Sequence, residues 1–181
     1  MHKLEGFINI DNDPLVKPDI LLDIETDVFP FEDNTVEFIT TRHTIEHVHD
    51  LTNFFEESYR VLNKDSGKLN IVVPHQSHDA AWADPEHVWF FTQNFFAYLN
   101  RMSLGSDGRP LICGNFDYQP MELLQRVTPD AKRKYTDTEQ LKFGATYLNN
   151  VILEIDVTLK PIFPIRVVKT NYPPTYVRLK R

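Results

Sequence analysis

Carboxylates follow the first two apolar runs of this chain, and six of its seven histidines crowd between His43 and His87. Phe7-Ile8-Asn9-Ile10 is followed by Asp11, and Asp19-Ile20-Leu21-Leu22 by Asp23-Ile24-Glu25. In an open α/β sheet, ligands bind at the carboxyl ends of the strands. A carboxylate there can accept hydrogen bonds from both hydroxyls of a ribose. Two acids with an apolar residue between them suit the amine and ring face of an adenine. Asp is also an ordinary turn residue, so each acid gains meaning only from the strand it follows.

The histidines admit a metal reading. His43-x-x-Glu46-His47 has the H-x-x-E-H form of the inverted zinc peptidases. That chemistry needs two histidines one helical turn apart on a long helix, with the glutamate as base. Residues 36–41 read as a strand and Asp50 as the cap of a new helix, so 43–47 fall in a short connection. A metal-dependent hydrolase using His43, Glu46 and His47 is therefore the weaker alternative. His75-x-x-His78 with Asp84-x-x-His87 has residue types that suit a transition metal, but they are spread over a loop. No stoichiometric metal is expected.

The elements that must position these groups are legible from breakers and periodicity. Phe7–Ile10, Ile20–Leu22, Val36–Ile39 and Leu69–Val73 are short apolar runs bounded by turn residues, the strand signature. Between the last two, Leu51, Phe54, Phe55, Tyr59 and Leu62 recur at helical spacing, with Glu56, Glu57 and Arg60 on the other face. Strand, helix, strand over so short a stretch is a βαβ unit with parallel strands. The link between the first two runs is too short for an obvious helix. Further on, Thr92 to about Met102 reads as a helix with Phe95, Phe96, Leu99 and Met102 inward. Gly105–Pro129 reads as a loop-rich insertion. Thr136-Asp137-Thr138-Glu139 resembles a capping box for a helix to about Leu148. Val151–Leu159 and Thr175–Lys180 read as the last strands, at least one of them at a sheet edge beside the prolines. Trp82, Trp89, Phe90 and Phe91 read as core.

The order of these features resembles the small methyltransferases of the type 11 group. The residues that carry the resemblance are Leu4-Glu5-Gly6-Phe7-Ile8-Asn9-Ile10-Asp11, Lys17-Pro18-Asp19-Ile20-Leu21-Leu22-Asp23-Ile24-Glu25 and Phe29-Pro30-Phe31-Glu32-Asp33-Asn34-Thr35-Val36. They continue with His43-Thr44-Ile45-Glu46-His47, Tyr59-Arg60-Val61-Leu62 and Gly67-Lys68-Leu69, over about residues 4–100. Asp84-Pro85-Glu86-His87-Val88-Trp89-Phe90-Phe91-Thr92 is similar to a segment that follows the fifth strand in some members. The resemblance implies a Rossmann-like class I methyltransferase sheet, mostly parallel with an antiparallel last strand, and S-adenosylmethionine as cofactor. It implies that Asp11 binds the ribose, that Asp23, Ile24 and Glu25 frame the adenine, and that Arg42 and His43 line the methionine side. The group also has a first strand and a Gly-x-Gly loop just before the segment matching Lys3-Leu4-Glu5-Gly6, and this sequence has neither. An N-terminally truncated sheet is therefore expected, in which Phe7–Ile10 and Val36–Ile39 either pair directly or leave a gap, and which binds the cofactor poorly.

The expected reaction is methyl transfer to a small or carbohydrate-like acceptor. His75, His78 and His87 are the candidates to orient or deprotonate that acceptor on a polar lid, and solvated loop histidines are the plain alternative. A non-catalytic binding or assembly module on the same fold is the second reading. One domain is expected over residues 1–181: a cofactor-side half (1–75), a lid, helices and insertion (76–150), and C-terminal strands (151–181). Net charge of −7 argues against a mainly electrostatic nucleic-acid binder. Lys160–Arg181 is basic without an acidic residue and reads as a solvated edge. No apolar run approaches a membrane span. Cys113 is the only cysteine and reads as a small, partly buried residue. With no signal peptide evident, a cytoplasmic protein is expected.

Overall fold

The computed structural model describes residues 4–103 and 114–166. Cys113, Thr175–Lys180 and much of the basic tail lie outside them. Two parallel strands open the chain, β1 (Ile10–Asp11) and β2 (Ile20–Leu21), joined through a 3-10 turn at Pro14–Val16. Strand β3 (Phe38–Arg42), helix α1 (Thr52–Val61) and strand β4 (Lys68–Pro74) follow, with β3 and β4 parallel. Short helices α2 (Ala80–Ala83) and α3 (Gln93–Tyr98) lead to strand β5 (Tyr118–Val127). Helices α4 (Pro129–Lys134) and α5 (Thr138–Tyr147) precede strand β6 (Ile152–Pro161). The larger sheet runs β3-β4-β6-β5, and β6 is antiparallel to both neighbours. The fold is α/β, with parallel ladders early in the chain and antiparallel ones late. No helix among the described residues is long and apolar enough to cross a membrane.

The core lies between α1 and one face of the larger sheet. Phe54, Phe55, Tyr59 and Val61 of α1 pack over Leu69, Ile71 and Val73 of β4 and Ile155, Val157 and Leu159 of β6. Each fully buried Phe or Leu side chain contributes about 1.5–3 kcal/mol. Asp50 Oδ1 accepts the Thr52 N–H, though Leu51 holds the capping position. After α1, Asn63 Oδ1 accepts the N–H groups of Asp65 and Ser66. Gly67 closes this turn, and a Cβ there would stand 2.4 Å from the Asn63 carbonyl.

The opposite face of the sheet is polar. Thr40 and Arg42, Asn70, and Glu154, Asp156 and Thr158 share it, as the strand register requires. Asn70 Nδ2 donates to Asp156 Oδ1 (2.8 Å), and Thr40 donates to Asn70 Oδ1 (3.0 Å).

Several expectations change. Residues 118–127, read as part of a loop-rich insertion, form β5, the edge strand beside β6. Pro120 sits at a register shift in that ladder, where its missing N–H is tolerated. The partner of β6 thus comes from before it in the chain. Strand β1 is only two residues long, and β3 begins two residues later than read, with Val36 in an isolated bridge to Leu62. Helix α3 ends at Tyr98, which leaves Met102 exposed. Of the four aromatics read as core, Phe91 is buried while Trp82, Trp89 and Phe90 are exposed. Trp82 and Phe90 instead stack on each other, ring centroids 3.8 Å apart. Arg166, from the basic tail, is drawn in to the buried Asp117 by a two-pronged ion pair (2.6 and 2.7 Å).

Between the two expected arrangements of the first strands, the structure has the gap. Among the described residues β1 pairs with β2 alone and β3 with β4 alone, and a Phe7–Phe38 edge contact at 6.0 Å lies near their starts. Glu37 C=O and His43 N–H bond toward β4. By strand alternation, the backbone groups of Phe38, Thr40 and Arg42 face the other way, toward that gap.

Candidate functional site

Asp11 ends β1 and stands beside Leu21 of β2 in register, so the first two acidic positions emerge from one edge of a parallel pair. Asp11 Oδ1 accepts the Asp13 N–H (3.0 Å), and its Oδ2 has no partner among the described residues. Asp23 Oδ1 accepts the Glu25 N–H (2.9 Å), a turn that folds the acids back toward the strand ends. Glu25 is more committed. Its two carboxylate oxygens accept the N–H groups of His49 (3.2 Å) and Asp50 (3.1 Å). Ile24 packs against the core. Among the described residues Asp11 and Asp23 thus make only local turn contacts through one carboxylate oxygen or neighbouring backbone, while Glu25 and Ile24 hold the loop.

The polar side of α1, legible in the sequence only as a charged face, keeps this loop in place. Asn53 Nδ2 donates to the carbonyls of Ile24 (3.0 Å) and Asp27 (2.9 Å). Arg60 donates to the carbonyls of Phe29 and Phe31, both at 2.9 Å, and pairs with Glu57 and Asp33. Glu57 in turn accepts the Phe29 N–H (2.8 Å), and its hydrogen bond with Arg60 holds its carboxyl below the usual range.

Arg42 and His43 stand at the carboxyl end of β3, His43 with a positive φ of 50°. Both are engaged. Arg42 reaches both oxygens of Glu154 (3.0 and 2.9 Å). His43 presents Nδ1 to Glu46 Oε1 and Nε2 to Glu154 Oε2, each at 3.2 Å. The hydrogen bond to Glu46 raises the His43 pKa despite partial burial, and the charges of Glu46 and Glu154 add to it. Glu154, 3% exposed in the middle of a strand, also meets Arg126 (3.3 Å). Nothing in the pattern of Val151–Leu159 marked it, because an alternating strand gives no sign of which polar position lies beneath arginines.

The three candidate bases differ in tautomer. His75 is buried, which pushes its pKa down, and Nδ1 accepts the Ser77 N–H (3.2 Å), so the proton of the neutral ring sits on Nε2. His78 is similar, its Nδ1 accepting the Ala80 N–H (3.1 Å). His87 is the reverse. Its Nδ1 donates to the Ala81 carbonyl (2.8 Å), which leaves the Nε2 lone pair free. A groove of about 440 Å³ beside His78, lined also by Asp79, Thr128, Pro129, Asp130, Asn150 and Leu153, includes none of the expected cofactor residues.

His43 and His47 do not form the paired ligands of a zinc peptidase. Residues Ile45–His47 make a single 3-10 turn, His43 turns to Glu154, and His47 meets His87 instead, ring centroids 4.6 Å apart.

The parallel β1–β2 pair, with acids at its carboxyl ends, and the parallel β3-α1-β4 unit make a Rossmann-like arrangement. Residues 8–69 match the family described as "Methyltransferase domain". Three solved structures are similar. YcgJ of Bacillus subtilis is 17% identical, with 74% of this chain and 67% of that one covered and a TM-score of 0.43. A chain from the complex of the Haloferax volcanii Trm112 methyltransferase activator is 15% identical, with 75% of this chain and 58% of that one covered and a TM-score of 0.44. BH2331 of Bacillus halodurans C-125 is 18% identical, with 77% and 69% covered and a TM-score of 0.41. Among curated proteins, none matches the chain.

Proposed function

We propose that this chain transfers a methyl group from S-adenosylmethionine to a small or carbohydrate-like acceptor. The observation that carries the reading is the position of Asp11 and Asp23 at adjoining carboxyl ends of a parallel strand pair, within the segment of methyltransferase type. The residues fit the cofactor's nucleoside. Asp11 keeps one carboxylate oxygen free for the ribose diol, and Asp23 stands at the adenine side with Ile24 and Glu25 behind it. Arg42 and His43 border the methionine side, their charge balanced by Glu154 and Glu46.

Bound S-adenosylmethionine supplies the methyl group as a reactive sulfonium. Held by Asp11, Asp23, Arg42 and His43, it would present that methyl to an acceptor atom, whose proton would pass to a base or to water as the sulfonium became a neutral thioether. The protein's part is mainly alignment. His75 and His78, whose Nδ1 atoms accept backbone N–H groups, suit hydrogen bonding from Nε2 that orients an acceptor oxygen more than they suit proton abstraction. The exposed Trp82–Phe90 stack offers an apolar platform of the kind a sugar ring can lie on, which supports a carbohydrate-like acceptor.

Asp11→Ala is expected to weaken binding of S-adenosylhomocysteine by about 1.5–3 kcal/mol, the cost of lost charge-assisted hydrogen bonds. Calorimetric titration of both proteins measures it, and unchanged affinity removes Asp11 from the site.

A further inference from the structure

We propose that Glu46, His47 and His87 form a binding site for one zinc-type transition-metal ion, with Asp84 in reach as a fourth ligand. The site shares Glu46 with the His43 contact, but it does not depend on the methyl-transfer reading. It departs from the sequence expectation of no metal, and it is not the H-x-x-E-H arrangement, because the second histidine comes from a loop forty residues downstream.

Three residues with metal-ligating side chains converge here. One ligand atom from each of Glu46, His47 and His87 lies within 4.8 Å of the other two. Glu46 is 1% exposed, and its Oε2 has no hydrogen-bond partner among the described residues. A buried carboxylate oxygen left in that state is costly. The other oxygen is held by His43, so the carboxylate cannot turn to satisfy both. No hydrogen bond to the His47 ring is found among the described residues.

The Ala81 carbonyl makes His87 a ready ligand. By taking the Nδ1 proton it fixes the tautomer and orients Nε2 as a lone-pair donor, the support that metal-binding histidines usually have. Asp84 Oδ2 lies 3.9 Å from that same Nε2, while Asp84 Oδ1 is occupied by the Glu86 N–H. That oxygen is the one Asp84 could bring to an ion held by His87.

Two imidazole nitrogens and one or two carboxylate oxygens are the donor set of four-coordinate zinc. Ligands of such an ion stand about 3.3 Å apart, given metal–ligand bonds of about 2.0–2.1 Å. The present spacing of up to 4.8 Å must close by about 1.5 Å for an ion to be held. The backbone is already docked: Val88 and Trp89 N–H donate to the Glu46 carbonyl (2.8 and 3.2 Å), and Trp89 Nε1 donates to the Val48 carbonyl (2.7 Å). The ion would staple the 84–89 segment to the turn after β3.

The test uses the full chain without an affinity tag, stripped with chelator and titrated with Zn²⁺ by calorimetry and with Co²⁺ by visible absorption. One saturable equivalent is expected. His47→Ala and His87→Ala should each weaken binding about 100-fold or more, whereas His78→Ala should leave it unchanged. If a ligand variant fails to fold, histidine ¹⁵N shifts of the wild-type chain decide the matter. Zinc should move the His47 and His87 ring nitrogens and not those of His78. Absence of saturable binding by either ion overturns the proposal, as does binding that follows His75 and His78.

Discussion

The two sheets of this molecule are held together by different means. The larger one is a ladder over a dry core: β4 and β6 alternate buried apolar residues against α1, and Ile71, Val73, Ile155, Val157 and Leu159 are at most marginally exposed. The β1–β2 pair has two residues in each strand and leaves Phe7, Ile8, Leu15 and Leu21 exposed. Its loop is tied down by hydrogen bonds from Asn53 and Arg60 and by those that Glu25 accepts. The acids read as cofactor ligands all ride on this thinner unit. Most of the buried core and the acids proposed for the nucleoside therefore sit in different places, and changes in one region should leave the other largely intact.

The largest effect should come from the core. Ile155→Ala is expected to cost about 2–5 kcal/mol, whereas Leu21→Ala, 61% exposed, should stay within about 0.5 kcal/mol. Denaturant melts of the two variants compare the regions directly, and equal losses would erase the distinction. Next is Arg60→Ala, which strips the carbonyls of Phe29 and Phe31 of their donor and leaves Glu57 without its guanidinium. A loss of about 1–3 kcal/mol is expected. Hydrogen exchange should quicken across residues 23–31 before it changes in β4 or β6. Uniform quickening would mean that the loop and the core open as one.

The smallest effect is a pH dependence at the junction of the two regions. The folded His43 pKa lies above its ordinary 6.5. Its contribution is thus fully present below about 6.5 and is lost as pH rises through the raised folded value. His43→Gln should flatten the stability profile in that window. An imidazole that titrates at or below 6.5 by NMR would show that Glu46 and Glu154 do not hold it charged.

What the sequence made legible was the part whose signals are local. The β3-α1-β4 unit is bounded by Asp33-Asn34, Asp50 and Ser66-Gly67, and its apolar spacing admits little else. Strand β5 was hidden because Met121 and Leu124 are exposed and Pro120 interrupts the run, so neither alternation nor propensity marks it. Helix α4 did carry a signal that went unused. Thr128 caps it by accepting the Ala131 N–H, Pro129 opens it, and Lys132, Arg133 and Lys134 fill its last turn. The meeting of His47 with His87, and the burial of Glu154 under Arg42 and Arg126, depend on tertiary docking and have no counterpart in spacing. Asp11 and Asp23 emerge where the sequence placed them, at strand ends, because that position follows from the strand alone.

The measurement that bears most directly on the proposed site is an NMR titration of the ¹⁵N-labelled chain with S-adenosylmethionine. The account predicts saturable shift changes confined to Asp11, Asp23–Glu25 and the Arg42–His43 turn, diminished in Asp11→Ala, however weak the affinity. Shifts confined instead to the groove at His78, Asp130 and Asn150, or none at any concentration reached, would contradict it.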